Sequence, residues 1–233
     1  MKKPQFVTEH IYHLYNRGVE KRNIFLANDD YFRTIHDLFE FNDEAPALNI
    51  YYKQPSLKSY EVQPRKISMR KILVEIIAFC LLPNHFHLLV KQKQEGGIVR
   101  FMQKFGTGYT MYFNQKYRRV GGLFQGRFKA VRVEKERHLL YLPHYIHLNP
   151  LDLSMPTWRN GKIEKPQKAL KFLESYRWSS YPDHIGKKNF PSLLSKGLFK
   201  ELYGTPAMYR QSMHEWINNM DFYDLEKITI EEL

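Results

Sequence analysis

The stretch Cys80-Leu81-Leu82-Pro83-Asn84-His85-Phe86-His87-Leu88-Leu89-Val90 predicts the centre of the fold. The apolar, β-branched run from Ile72 to Leu81 is typical of a buried strand, and Pro83-Asn84 is a turn signal. Residues 85–92 then predict a second strand that returns antiparallel to the first. The sequence therefore indicates a β-hairpin at the heart of a sheet.

This hairpin carries two histidines on one face. Alternate residues of a strand point to the same side, so His85 and His87 project together while Phe86 faces the opposite side. Neighbouring imidazoles are a pattern of metal sites. Paired histidines on a half-buried strand also occur without a ligand role, so the pair alone leaves both interpretations open. The other histidines show no ligand spacing, and His10 and His13 fall on opposite faces of the first predicted strand.

Outward from the hairpin, strand patterns alternate with helix patterns. The predicted elements are a strand at 6–15 that ends at Asn16-Arg17-Gly18, a helix from Asn28-Asp29-Asp30 to Phe39, a helix at 98–117 weakened by Gly106 and Gly108, a strand at 123–133, and a helix at 134–149 interrupted by Pro143. This order predicts an α+β fold with an antiparallel-rich central sheet, helices packed on it, and a helical C-terminal extension.

The domain organisation is predicted from changes in composition. Residues 1–155 form the predicted core domain, and residues 43–68, which contain three prolines, are interpreted as an insertion loop within it. Residues 156–233 form a predicted, partly helical extension. Its last part, from Glu201 to Leu233, has seven acidic and two basic residues, so we expect no phosphate contact there.

Composition excludes several classes of protein. The 233 residues include a single cysteine, which excludes a disulfide scaffold and a cysteine-rich zinc cluster. No stretch approaches the roughly 18 apolar residues that a membrane span requires. Met1-Lys2-Lys3 is not followed by the apolar region of a secretory signal, so we expect a cytoplasmic protein without a membrane partner. The formal net charge of +12 favours a polyanionic partner.

Most of that charge is concentrated in one region. From Arg100 to Arg132 there are eight basic residues and no acidic one, interleaved with eight aromatic residues. Cations that contact phosphates, and flat rings that stack on exposed bases, suit a single-stranded nucleic acid. A solvated basic helix face with its aromatics in the core would give the same pattern, so this stretch alone leaves the two interpretations balanced.

A second candidate for chemistry is Tyr145-Ile146-His147-Leu148-Asn149-Pro150. Residues four apart share a helix face, so Tyr145 and Asn149 are predicted to lie one above the other. Asn149 offers a neutral oxygen ligand and Tyr145 a phenolic hydroxyl. The chain has sixteen tyrosines, most of which must pack or face solvent, so a structural role for Tyr145 stays open. His147 points away from that face and is interpreted as structural or as a phosphate contact.

Taken together, these stretches resemble a known family. The chain is similar to the REP-associated tyrosine transposases, which belong to the single-tyrosine HUH transposases of bacterial insertion sequences. The stretches that carry the resemblance are Tyr12-His13-Leu14-Tyr15-Asn16-Arg17-Gly18, Cys80 to Val90, Gly122-Leu123-Phe124-Gln125-Gly126-Arg127-Phe128, Tyr145 to Pro150, and Tyr176-Arg177-Trp178-Ser179-Ser180-Tyr181.

The resemblance implies an HUH endonuclease fold with a ferredoxin- or RRM-like core, and an enzyme that cleaves and rejoins single-stranded DNA. In this interpretation His85, His87 and Asn149 hold Mg²⁺ or Mn²⁺, and Tyr145 attacks the scissile phosphate to form a 5′-phosphotyrosine. The implied substrate is the hairpin end of a palindromic repeat, and the implied state is a monomer. Pro143 departs from the family pattern and is expected to kink the helix that carries Tyr145.

DNA contacts are predicted near the first strand end and in the basic stretch. The candidate residues are Asn16, Arg17, Lys116, Arg118, Arg119, Gln125, Arg127 and Lys129. Arginine grips guanine through two parallel hydrogen bonds, so Arg17 or Arg127 is expected to read a base. Two alternatives remain: a catalytically silent nucleic-acid-binding relative, and a metal-dependent nuclease in which water is the nucleophile.

Overall fold

A computed structural model describes residues 4–46, 70–160 and 163–219 of the chain. Most of the predicted insertion at 43–68 and the end of the acidic tail lie outside the described residues. Within them, the α+β class predicted from the sequence is confirmed. None of the helices in the described ranges has the length and apolar character of a membrane span.

The sheet contains four antiparallel strands in the order β2-β3-β1-β4. The strands are β1 (Ile11–Arg17), β2 (Val74–Leu82), β3 (His85–Gln92) and β4 (Lys129–Arg132). The predicted hairpin is confirmed, with β3 at its predicted bounds. The first strand was expected to end at Tyr15, but Asn16 and Arg17 still pair with Phe86 and His85. Residues 123–128 were expected in the fourth strand, but they form an irregular loop, which contains Gly126 at a positive φ of 74°.

The first three helices begin and end close to their predicted positions, and four further helices follow in the described part of the C-terminal extension. In chain order, the helices are α1 (Asn28–Glu40), α2 (Gly97–Lys116), α3 (Glu136–Leu148), α4 (Pro166–Ser175), α5 (Tyr181–His184), α6 (Lys196–Tyr203) and α7 (Pro206–Asn219). Helix α3 is one continuous element that includes Pro143, so the proline does not divide it. The imidazole Nδ1 of His144 lies 3.0 Å from the carbonyl oxygen of Leu140 within this helix.

The chain forms two compact units. The first holds the described residues of Met1–Ile76 and Pro83–Arg132, and the second those of Ile77–Leu82 and Val133–Leu233. The predicted division into a domain at 1–155 and an extension at 156–233 concerns independent folding, and it stays a prediction.

In the first unit, one sheet face forms the core. Tyr12 and Leu14 of β1 are fully buried, and so are Leu88 and Val90 of β3. Phe86 packs edge-on against Phe105 of α2, with ring centroids 5.3 Å apart. The alternation of the strands thus places their apolar side chains under the helices, while His13, Tyr15, His85 and His87 share the opposite face.

A buried carboxylate joins α1 to α2 within this unit. Asp30 accepts hydrogen bonds from the backbone N–H groups of Leu26 and Ala27, at 2.8 and 2.9 Å. Its oxygens also accept hydrogen bonds from Lys116 Nζ and from the Tyr117 hydroxyl, both at 2.7 Å. Burial alone would raise the pKa of Asp30, but these donors outweigh it and hold the pKa below its usual value. Asp30 is therefore ionised at neutral pH and fixes the ends of both helices.

The second unit is built around α3. Trp216 of α7 stacks on His144, with centroids 4.8 Å apart. The hydroxyl of Ser180 accepts the backbone N–H of Phe79 at 2.9 Å and lies 2.7 Å from His147 Nε2. The family-like stretch at 176–181 therefore has a structural role, because it ties the end of β2 to α3.

Two glycines of α2 give a matched test of this packing. A Cβ at position 106 would have no neighbour within 4 Å, whereas one at position 108 would lie 2.6 Å from ring carbons of Phe41. Alanine is the better helix former, so Gly106→Ala should stabilise the protein by about 0.5–1 kcal/mol. Gly108→Ala should instead destabilise it by about 1–3 kcal/mol, because the ring or the helix must move. Urea unfolding of both variants measures the difference, and equal effects would contradict this packing.

Candidate active site and nucleic-acid interface

The predicted catalytic residues divide between the two units: His85 and His87 lie in the first, and Tyr145 and Asn149 in the second. On the histidine side, the β1–β3 register places Tyr15 opposite His87. The rings of His85 and His87 have centroids 5.1 Å apart, and the ring of His13 stacks on His87 at 5.2 Å. The structure thus confirms that His85 and His87 share a face, and it adds His13 and Tyr15 to them.

Hydrogen bonds set the orientation of both imidazoles. His85 Nδ1 lies 2.6 Å from Asn84 Oδ1, an oxygen that only accepts, so the Nδ1 proton is donated there. His87 Nδ1 lies 3.0 Å from His13 Nε2. Burial lowers the pKa of His13 to about 4, so His13 is neutral at pH 7 and able to accept. With the shared proton on His87, both His85 and His87 carry their lone pair on Nε2.

This arrangement fits a divalent cation. Ligating histidines commonly donate their second ring nitrogen to an oxygen or another acceptor, which fixes the tautomer and the ring orientation. Among the described residues, no group of three or more His, Cys, Asp or Glu is arranged to hold a metal.

On the α3 side, Tyr145 and Asn149 lie one helical turn apart, as predicted. Tyr145 is 2% exposed and Asn149 is fully buried. The Asn149 Nδ2 group donates to the Tyr145 carbonyl oxygen at 2.8 Å, which fixes which end of the amide is the oxygen. Helix α3 ends here because Pro150 follows and begins a 3₁₀ turn at residues 149–153.

A third side chain joins this pair, and it was not predicted from the sequence. Arg159 Nη2 donates to Asn149 Oδ1 at 2.7 Å, and Arg159 Nη1 lies 3.4 Å from the Tyr145 hydroxyl oxygen. Asp152 holds the guanidinium from behind, with its two oxygens 3.0 Å from Nε and 2.8 Å from Nη2. Burial would lower the pKa of Arg159, but Asp152 and Tyr145 outweigh it and raise the pKa, so a fixed positive charge stands beside Tyr145.

His147 has a structural role. It is fully buried, and its two ring nitrogens lie 2.6 Å from the Tyr209 hydroxyl and 2.7 Å from the Ser180 hydroxyl. Burial holds its pKa well below the usual value, so the ring is neutral. Of the two roles expected for His147, the structural one is therefore confirmed, and the phosphate contact is excluded by burial.

Several predicted DNA contacts cluster around the 122–128 loop. Arg17 Nε donates to Gln125 Oε1, and Asn16 Nδ2 donates to the Gly126 carbonyl at 3.2 Å. Asn16 and Arg127 line a cavity of about 740 Å³ beside α2, together with Phe124, Phe128 and residues of α2 that include Thr107 and Thr110. This cavity combines aromatic surface with polar donors, which suits an unstacked base.

The remaining basic candidates have varied surroundings. Lys116 is held in an ion pair with buried Asp30. Arg119 Nη1 donates to Asn114 Oδ1 at 3.0 Å, and Lys129 Nζ lies 5.8 Å from the Tyr15 ring centroid. Arg118, exposed, has a positive φ of 51° where the chain leaves α2.

The aromatic residues of this stretch divide into two groups. The four that lie in the core are Phe101, Phe105, Tyr109 and Phe113. Of the two interpretations left open for this stretch, packing in the core holds for these four, because they form the apolar stripe by which α2 packs on the sheet. The other four are partly exposed: Phe124 and Phe128 lie in the loop, and Tyr112 and Tyr117 donate to Asp30.

Comparison with known proteins shows similarity to one family over part of the chain. The family described as "Transposase IS200 like" matches residues 58–149, a segment that includes His85, His87, Tyr145 and Asn149. No curated protein matches the chain. A solved structure of a REP-associated tyrosine transposase bound to a REP hairpin is similar at 11% identity and a TM-score of 0.49, over 84% of this chain and 90% of that one. The similarity to the IS200-like transposases thus extends over residues 58–149 of the chain.

Proposed function

We propose that this protein is a single-tyrosine transposase that cleaves and rejoins single-stranded hairpin DNA through a 5′-phosphotyrosine. The observation that carries the proposal is the end of α3, where Tyr145 and Asn149 share one face within the segment that matches the family. The histidine pair on β3 lies in the same matched segment. An exposed set of basic side chains around the 122–128 loop supports a nucleic-acid substrate.

The proposed reaction is a transesterification. The Tyr145 oxygen forms a bond to phosphorus, the bond from phosphorus to the 3′ oxygen breaks, and that oxygen leaves with the electron pair and becomes a free 3′-hydroxyl. The phenolic proton passes to solvent. The phosphodiester energy is kept in the protein–DNA bond, so the reverse reaction with another 3′-hydroxyl rejoins the strand. A free phenol with a pKa near 10 is a weak nucleophile at neutral pH, so neighbouring positive charge is needed.

The chain's own residues would hold the metal and position the nucleophile. His85, His87 and Asn149 would hold Mg²⁺ or Mn²⁺, and the ion, when bound, would polarise the scissile phosphate. Asn84 and His13 hold the two imidazoles in the orientation this requires. An amide oxygen has two lone pairs, so Asn149 Oδ1 can accept from Arg159 and still serve as a ligand.

The proposed DNA path runs along the 122–128 loop. Arg17, held by Gln125, and Arg127, at the cavity, are the proposed base-reading residues. Arg118, Arg119 and Lys129 are proposed phosphate contacts, with Asn16 beside the cavity. Lys116 is also proposed to contact a DNA phosphate, with the part of its positive charge that the ion pair with Asp30 leaves at the surface.

One assay separates this proposal from its two alternatives. The protein is incubated with Mn²⁺ and a labelled DNA hairpin that carries a single-stranded flank, and the products are run on a denaturing gel. A transposase gives a band in which DNA is bound to protein. A water-using nuclease gives cleaved DNA without that band, and a silent relative gives a mobility shift on a native gel but no cleavage. Either of the last two results would overturn the proposal.

The DNA interface predicts a difference between two cations. Lys129→Gln should weaken binding to all single-stranded sequences and reduce the slope of log affinity against log salt by about 0.7–1, because one phosphate contact is lost. Lys116→Gln should change that slope less and instead lower stability by about 1–3 kcal/mol, because buried Asp30 loses a charged donor. Fluorescence anisotropy across a salt series, with urea unfolding of both variants, measures the two effects. The reverse pattern would mean that Lys116, not Lys129, contacts the DNA.

A further inference from the structure

Arg159 has no role in the site predicted from the sequence, yet it contacts both Tyr145 and Asn149. It lies in a 3₁₀ turn at Pro156–Asn160, beyond the segment that matches the family. Its guanidinium donates to Asn149 Oδ1 at 2.7 Å and reaches the Tyr145 hydroxyl oxygen at 3.4 Å.

The guanidinium is held by a structure that fixes its direction. Asp152 accepts from Nε and Nη2 of Arg159, and it also accepts from Trp158 Nε1. The Trp158 ring lies against the guanidinium, with 4.6 Å from Cζ to the ring centroid, and Trp158 is 1% exposed. Because Asp152 binds one edge of the planar guanidinium and Trp158 packs against one face, the opposite edge points in a fixed direction. In that direction lies the pair formed by Asn149 and Tyr145.

This geometry resembles a preorganised electrostatic site. In the proposed reaction the phenolic oxygen of Tyr145 loses its proton and carries negative charge as it approaches phosphorus. A fixed cation that already points at that oxygen stabilises the charge without reorganisation, and the half-buried surroundings strengthen the interaction. The same cation also fixes the Asn149 amide.

We infer that Arg159 is a catalytic residue of this transposase, which stabilises negative charge on the Tyr145 oxygen and orients the Asn149 amide, and that Asp152 is the residue that positions it. The inference rests on the proposed function, because it assigns a reacting atom to Tyr145. The role differs from that of a phosphate-binding arginine, since the contacts are to protein groups and not to a DNA-facing surface.

The test is the single-turnover rate of adduct formation on the DNA hairpin with Mn²⁺, measured together with hairpin affinity. Arg159→Ala should slow adduct formation by about 100-fold or more, the usual effect of removing one preorganised donor, with affinity changed by less than about threefold. Arg159→Lys should recover part of the rate, because it keeps the charge but not the fork. The rate of adduct formation by the Asp152→Asn protein should fall between the rates of Arg159→Ala and the unaltered protein.

Arg210→Ala is the matched control. Arg210 is also ion-paired in the second unit, 2.7 Å from Glu174, but it lies on the surface and contacts neither Tyr145 nor Asn149. It should leave the adduct rate unchanged. Circular dichroism and unfolding midpoints establish that the Arg159 variants fold. An Arg159→Lys protein that folds but recovers none of the adduct rate would mean that positive charge alone does not stabilise the Tyr145 oxygen.

The outcomes are distinguishable. An unaltered protein that forms no adduct overturns the proposed function and the role of Arg159 with it. An unaltered protein that forms the adduct, with Arg159→Ala folded and equally fast, overturns the Arg159 inference alone. A slow Arg159→Ala protein whose defect is entirely in hairpin affinity also overturns it, because the arginine would then be a DNA contact.

Discussion

Tyr145→Phe is expected to abolish the covalent protein–DNA adduct while leaving the fold and the hairpin affinity almost unchanged. The substitution removes a single oxygen from a side chain that is 2% exposed, and the ring that packs against Tyr141 stays in place. Phenylalanine has no nucleophile, so the covalent step should fall below detection. A denaturing gel measures the adduct, and fluorescence anisotropy measures the affinity.

Tyr141→Phe is the matched control for that experiment. Tyr141 lies one turn earlier on α3, and its ring stacks on Tyr145 with centroids 6.2 Å apart. It should keep the adduct. Tyr109, Tyr112 and Tyr117 are weaker candidates for the nucleophile, because their hydroxyls donate to Ile24 or to Asp30. An adduct that survives Tyr145→Phe but disappears in one of these variants would show that the wrong tyrosine has been assigned.

The second large effect is expected at the histidine pair. His85→Ala and His87→Ala should each lower the affinity for Mn²⁺ by about 100-fold or more, because each removes a predicted ligand from the site. Electron paramagnetic resonance of Mn²⁺ reads the binding directly, without relying on activity. His87→Ala should also lower stability by about 1–3 kcal/mol, because its hydrogen-bond partner His13 is buried.

His10→Ala serves as the control for metal binding. His10 is part of the same unit, and its Nδ1 lies 2.8 Å from Arg132 Nη2, not from His85 or His87. It should bind Mn²⁺ like the unaltered protein. If all three variants bind Mn²⁺ equally well, and if cleavage continues in the presence of a chelator, then the histidine pair is not a metal site.

The hairpin and the main helices were predictable from local patterns. The turn at Pro83-Asn84 and the alternation of β3 determine which side chains face the core, so the shared face of His85 and His87 follows from sequence alone. The i, i+4 relation of Tyr145 and Asn149 follows from helical geometry in the same way. In both cases the contacts that matter lie within a few residues along the chain.

The parts that were missed depend on distant residues. His13 reaches His87 only through the β1–β3 register, across 74 residues. Lys116 is joined to Asp30 across 86 residues, so composition could not separate a structural cation from a DNA contact. Arg159 joins the site because a 3₁₀ turn returns it to the end of α3. The one local signal was Asp152, an acid within seven residues of Arg159.

The core aromatics of α2 are another case in which the sequence pattern could not separate a structural role from DNA binding. Phe101, Phe105, Tyr109 and Phe113 recur every four residues, which is the apolar stripe of a packed helix. The one basic residue between Phe101 and Phe113 is Lys104, and its Nζ donates to the carbonyl oxygens of Asp43 and Ala45 at 2.6 Å. The spacing of these four rings thus reflects helix packing, and the partly exposed aromatics of the stretch, Tyr112, Tyr117, Phe124 and Phe128, remain as candidates for stacking on bases.

Mass spectrometry of the covalent product tests the central claim most directly. The protein is reacted with the hairpin and Mn²⁺, digested with protease and nuclease, and the peptide that carries the nucleotide is sequenced. The proposed function predicts a nucleotide joined through its 5′ phosphate to Tyr145, with a free 3′-hydroxyl on the released strand. A nucleotide on a different residue, a 3′-phosphate linkage, or cleaved DNA with no modified peptide would contradict it.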